Sequence, residues 1–127
     1  IGAIGLGEAI RYVEGVDREA AARYESGLTA YATEKLSAVE GLRIYGSQLD
    51  KCSILSFTID GTHPYDVGMI LDKLGIAVRT GTHCAEPVMA HYGITSMVRA
   101  SLAMYNTFGE IDMLAEGLKR AARMLRS

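Results

Sequence analysis

Arg79-Thr80-Gly81-Thr82-His83-Cys84-Ala85-Glu86-Pro87 is the stretch whose residue types and spacing best suit chemistry. A thiol is nucleophilic as its thiolate, and its pKa falls beside cations and at helix N-termini. Cys84 has His83 and Arg79 close in sequence and follows a Gly-containing loop. Pro87 suits the first turn of a short helix over about residues 85–92. The spacing therefore predicts backbone N–H groups of residues 85–88 turned toward the sulfur. The alternative is a buried structural cysteine, because free cysteine is among the most buried residue types. The residues alone leave both open. Cys52 follows Lys51 at the start of a strand, with no histidine or helix start nearby, and reads as structural. No CxxC or HxxxH spacing exists, so a metal site has no support.

Arg99 lies mid-strand between Val98 and Ala100. A guanidinium placed there needs a partner, because burying it alone is costly. One reading is bidentate capture of a ligand carboxylate, which the planar fork suits. The other is an ion pair with an acid of this same domain. His63 and Asp66 read as the polar start of a helix around Pro64, and His91 as a favourable charge at a helix end. Gly2, Gly5 and Gly7 do not make GxGxxG after a strand, so a nucleotide loop is rejected. Tyr24 and Tyr31, at helical spacing, read as core or interface.

The elements that must position these residues follow from periodicity. Leu6, Ala9, Ile10 and Val13 predict a first helix ending near Gly15. Asp17 is a good N-cap for a second, with Tyr24, Leu28, Tyr31, Ala32 and Leu36 as its stripe. Residues 42–45 and 53–59 predict strands, with a polar turn over 46–51 between them. Pro64 opens a helix buried through Val67, Ile70, Leu71 and Leu74 and ended by Gly75. Residues 76–79 and 97–103 predict two more strands. A final helix over about 110–125 turns Ile111, Leu114, Leu118, Ala121, Ala122 and Leu125 inward. The expected fold is α+β: a small mixed four-strand sheet with helices mainly on one face. Residues 1–127 form a single domain, with 1–16 as a connecting helix.

Composition narrows the function classes. The chain has 127 residues, 49% hydrophobic and 22% charged, which suits one ordinary globular domain. A net charge of −2, from 13 Lys+Arg and 15 Asp+Glu, gives no basic field for nucleic acid. No apolar run approaches the roughly 20 residues that span a bilayer. Residues 1–10 lack the basic start of a signal peptide. Two cysteines do not make a disulfide framework, so a reducing, cytoplasmic setting is expected. The first residue is Ile1 rather than Met, as a piece of a longer protein would show.

The 79–87 stretch resembles the active-cysteine motif of group II cysteine desulfurases. These are the sulfur-mobilising, selenocysteine-lyase-like branch of the class V aminotransferases. Val98-Arg99-Ala100-Ser101 through Tyr105-Asn106-Thr107 resembles the substrate-arginine strand of that family. Ser56-Phe57 through His63-Pro64-Tyr65-Asp66-Val67 also resembles its small domain. Three motifs in order cover nearly the whole chain. Thr82 stands where many relatives carry another polar residue, often His, at a position that tolerates change.

The resemblance implies the small C-terminal domain of a fold-type I enzyme dependent on pyridoxal 5'-phosphate. Such an enzyme turns L-cysteine or selenocysteine into alanine and leaves the sulfur as a protein persulfide. Cys84 would be the nucleophile and persulfide carrier, and Arg99 would bind the substrate carboxylate. Arg79 and His83 would support the cysteine loop. A sulfur-acceptor protein, iron-sulfur cluster assembly and a homodimer are further implications. The family's cofactor lysine belongs to a large domain upstream. Lys35, Lys51, Lys73 and Lys119 do not lie in its motif, so this chain by itself would lack the cofactor site and be inactive. Two other readings stay open. One is a non-catalytic α/β binding or regulatory module with a structural Cys84 and an internally paired Arg99. The other is a different class V member that needs no cysteine.

Overall fold

A computed structural model describes residues 1–46 and 51–126. The turn expected over 46–51 lies largely outside the described residues. Helix α1 spans Gly2–Glu14 and buries none of its residues. Helix α2, Arg18–Ser37, starts on Asp17, whose side chain accepts from the Ala20 amide at 3.0 Å. Strands β1 (Leu42–Tyr45) and β2 (Ile54–Ile59) precede helix α3 (Pro64–Lys73). Strand β3 (Arg79–Gly81), helix α4 (Glu86–Tyr92), strand β4 (Met97–Ser101) and helix α5 (Phe108–Arg126) complete the chain.

The sheet order is β1-β2-β4-β3, and every neighbouring pair is antiparallel. The expected α+β class holds, but the sheet is antiparallel rather than mixed. The reason lies in the crossover. The β2-α3-β3 unit does make β2 and β3 run the same way, as such connections require. β4 then inserts between them, antiparallel to both, so no parallel pair touches.

One sheet face carries the core. Leu55, Phe57 and Ile59 of β2 join Val98 and Ala100 of β4 against Leu28, Ala32 and Leu36 of α2 and Val67 and Leu71 of α3. Helix α5 adds Ile111, Leu114, Leu118, Ala121 and Ala122. The opposite face is covered only in part. There Met89 of α4 packs with Tyr45 and Met97 in a small separate cluster. Helix α4 thus departs from the one-sided helical layer.

Two element boundaries differ from the sequence reading for local reasons. Ile76 was expected in a strand but caps α3 instead. Its amide donates to the Leu71 carbonyl at 3.0 Å, and the amide of Gly75, at φ +75°, donates to Asp72 at 2.9 Å. That pair of bonds is a Schellman cap, which takes Ile76 out of the ladder. Strand β3 begins three residues later. Helix α5 starts at Phe108, ahead of the expected Glu110, because Thr107 and Glu110 form a capping box. The Thr107 amide donates to Glu110 Oε2 at 2.8 Å and the Glu110 amide to Thr107 Oγ1 at 3.2 Å. The predicted strand over 97–103 ends early, at Ser101.

Gly68 sets how closely α3 lies on β3, the strand bearing Arg79. A Cβ there would stand 2.6 Å from Thr80 Cγ2, a stiff β-branched methyl. Gly68→Val is expected to cost about 2 kcal/mol in urea denaturation, an overpacking effect that exceeds the few tenths gained in helix propensity. An unchanged midpoint would show that β3 slides freely.

Candidate active site

In an antiparallel ladder, directly paired residues present their side chains on the same face. The register pairs Tyr45 with Ser56, Ser56 with Arg99, and Arg99 with Arg79. One row across the sheet therefore reads Tyr45, Ser56, Arg99, Arg79. It lies on the face opposite the core row of Ile44, Phe57 and Val98. Two arginines face each other directly, an arrangement that destabilises a sheet by like-charge repulsion.

Nothing within the described residues neutralises this pair. Neither Arg79 nor Arg99 joins any ion pair among them. Arg99 is half-buried, and its Nε is buried without a hydrogen-bond partner. The internal partner required by the structural reading of Arg99 is thus missing among the described residues. Uncompensated guanidiniums on a partly covered face suit an incoming anion, above all a carboxylate.

The loop after β3 brings the thiol to the surface. His83 and Cys84 have φ of 56° and 57°, consecutive left-handed residues that are not glycine. Each such residue costs roughly 1–2 kcal/mol. The turn is held by the Ala85 amide donating to the Thr82 carbonyl at 3.0 Å, and by Thr82 Oγ1 donating to Glu86 Oε1 at 3.0 Å. Cys84 is exposed. The expected cradle of amides over 85–88 is not formed. Ala85 donates to Thr82, Val88 donates to the Ala85 carbonyl at 2.9 Å, and Pro87 has no N–H. Among the described residues, only Glu86 of that group keeps a free amide.

His83, in the same loop, lies close enough to Arg99 and Arg79 to feel both charges. Both ring nitrogens are buried with no hydrogen-bond partner among the described residues. Desolvation pushes its pKa below the usual 6.5, with the Arg99 and then the Arg79 charges adding to the shift. The nearby Met97 backbone opposes the shift without a hydrogen bond of good geometry. Because the folded value lies below the unfolded one, the neutral ring's contribution to stability is full above 6.5. It is lost as pH falls from there through the folded value. Denaturation midpoints should therefore drop on acidification below 6.5, and His83→Gln should remove that component.

The remaining candidates sort cleanly. Cys52 is exposed, which overturns its structural reading; it precedes β2 instead of packing within it. His63 caps α3, its Nδ1 accepting from the Tyr65 amide at 3.3 Å. Tyr24 donates to the Asn106 carbonyl and Tyr31 to Asp112, both at 2.8 Å, with Phe108 against both rings. His91 sits in the last turn of α4 against Tyr92. No group of metal-binding side chains exists among the described residues. None of their helices is long and apolar enough to cross a membrane. Sequence reasoning missed that Ser56 pairs with Arg99, and it missed Ser96, whose buried Oγ has no partner among the described residues. Only strand pairing reveals the first, and no local signal marks the second.

The model of the aminotransferase class-V family matches residues 1–114. The chain belongs to this family. Among curated class-V relatives, a cysteine desulfurase of Pectobacterium carotovorum is 50% identical over 126 residues, covering 99% of this chain and 31% of the relative. A cysteine desulfurase of Escherichia coli O139:H28 is 48% identical, covering 98% of this chain and 30% of the relative. Among solved structures, the cysteine desulfurase CsdA of Escherichia coli superposes with a TM-score of 0.90 at 35% identity. The apo cysteine desulfurase of Thermococcus onnurineus NA1 does so with 0.90 at 38%. Each of these two matches covers 98% of this chain and 31% of the solved one. This class-V chain thus spans about 31% of the length of the relatives it matches. The α+β fold read from the sequence agrees with these neighbours.

Proposed function

We propose that this chain is the thiol-bearing and carboxylate-binding part of a cysteine desulfurase. The observation that carries the reading is the unneutralised Arg99–Arg79 pair beside a loop that exposes Cys84. The identity to cysteine desulfurases over 99% of the chain supports it.

Arg99 binds the substrate carboxylate through its planar fork, and Arg79 adds field and steering. The Cys84 thiolate attacks the substrate sulfur. A sulfur–sulfur bond forms as the substrate carbon–sulfur bond breaks. The electron pair of the broken bond stays with the carbon fragment, which takes up a proton and leaves as alanine. Cys84 retains the sulfur as a persulfide and passes it to an acceptor thiol, in a reducing compartment such as the cytoplasm.

The family implies pyridoxal phosphate, the electron sink for carbon–sulfur cleavage. The described lysines do not fit its attachment. Lys35 pairs with Asp112, Lys119 with Glu116, and Lys51 donates to the Gly46 carbonyl. Lys73 ends α3, on the core layer away from the arginine row. The cofactor therefore belongs to the part of the enzyme that this chain does not span. Helix α1, with no buried residue and with Ile4, Leu6, Ile10 and Val13 exposed, serves as the connecting segment that packs there.

An alanine assay tests the reading. The full-length enzyme should form alanine from L-cysteine and none from L-serine, which lacks the transferable sulfur. This chain mixed alone with L-cysteine and pyridoxal phosphate should form none. Equal turnover of both substrates, or enzyme-like turnover by the chain alone, would contradict it.

A further inference from the structure

Among the described residues, four buried polar side-chain atoms lack partners, and all belong to β4, the residue before it or the loop after its partner strand β3: both ring nitrogens of His83, Ser96 Oγ and Arg99 Nε. Buried polar groups are almost always paired, so a cluster of orphans at one place calls for a functional reason. His83 is held there by backbone that neither it nor Cys84 adopts cheaply. The two residues are neighbours in the chain; the ring nitrogens of one are buried and the thiol of the other is exposed.

We propose that His83 takes up the proton of Cys84, and that this uptake is gated by an anion on the Arg99–Arg79 pair. The inference rests on the reading of Cys84 and Arg99 given above, and it assigns His83 a role within that site.

The physical basis is charge balance. The charged groups facing the ring are Arg99 on β4 and Arg79 on β3, both cationic; Met97 faces it with backbone. Of the nearby acids, Glu86 on α4 accepts from Thr82 instead. With the arginines bare, a proton on the imidazole would add a third positive charge to the group. A substrate carboxylate on Arg99 removes that obstacle, so the ring becomes a competent acceptor when substrate is present. The transfer balances simply: the Cys84 S–H bond breaks, an imidazole N–H bond forms, and the sulfur keeps the electron pair that attacks the substrate. By linkage, protonated His83 strengthens carboxylate binding in turn.

Histidine NMR titration of the full-length, cofactor-loaded enzyme tests the gating, with the His83→Gln spectrum assigning the resonance. L-alanine should move the His83 midpoint upward, and L-alaninamide, which lacks the carboxylate, should not. In kinetics, His83→Gln should lower kcat about 10²-fold, within the usual range for a lost proton acceptor. It should leave KM for L-cysteine near the native value and remove the acid limb of the kcat profile. His83→Asn should behave alike. A His83 midpoint indifferent to L-alanine, or His83→Gln with native kcat and its acid limb intact, would overturn the proposal. The titration of the native protein decides the matter even where a variant folds poorly. A Cys84→Ala enzyme that still makes alanine from L-cysteine would instead overturn the site reading beneath it.

Discussion

Cys84→Ser in the full-length enzyme should cut alanine formation from L-cysteine by about 10³-fold or more, the scale seen when an enzyme loses its nucleophile. Serine keeps the size and the left-handed backbone problem of the native residue, so the loop geometry is not the variable. A hydroxyl at neutral pH supplies almost no anion and forms no persulfide. The thermal midpoint should stay within about 1 °C, because Cys84 is exposed and no core contact is lost. Cys52→Ser should leave turnover unchanged, since that thiol precedes β2 and lies outside the arginine row. Alanine formation that survives in Cys84→Ser would favour a class-V activity that needs no thiol.

Arg99→Leu carries the second large effect, and it separates two readings of one residue. Two charge-assisted hydrogen bonds to a carboxylate are worth about 3 kcal/mol together, and each 1.4 kcal/mol is a factor of ten. The variant should therefore lose about 10²-fold in kcat/KM for L-cysteine. Arg99→Lys should recover only part of it, because a point charge replaces a fork. Stability should move the other way. Removing one of two directly opposed cations relieves repulsion and an orphaned Nε, so the midpoint in urea should hold or rise. A buried internal ion pair would instead lose about 3–5 kcal/mol on such a change. A steep fall in stability would mean that Arg99 is a structural residue.

Much of this was legible in the sequence wherever one local rule acted alone. Asp17 capped α2, Pro64 opened α3, and the inward face of α5 was read from spacing, because each follows from near neighbours. The reading failed where a second rule competed. Ile76 looks like strand by its apolar run, yet the glycine before it commits its amide to a helix cap. The antiparallel sheet was hidden because β4, late in the chain, separates β2 from β3. At the site, Cys84, Arg99, Arg79 and His83 were all singled out from residue type and order. Their arrangement was not. The facing of Arg99 on Arg79 is a product of register, which no local window contains. The amide cradle expected around Cys84 was lost to the short turn bonds of Ala85 and Val88.

Mass-spectrometric location of the sulfur after the full-length enzyme meets L-cysteine, without an acceptor thiol, tests the central claim most directly. The added sulfur atom should sit on the peptide containing Cys84, be removed by mild reductant, and be absent from the peptide containing Cys52. Sulfur found on Cys52, or alanine released with no sulfur retained on Cys84, would contradict it.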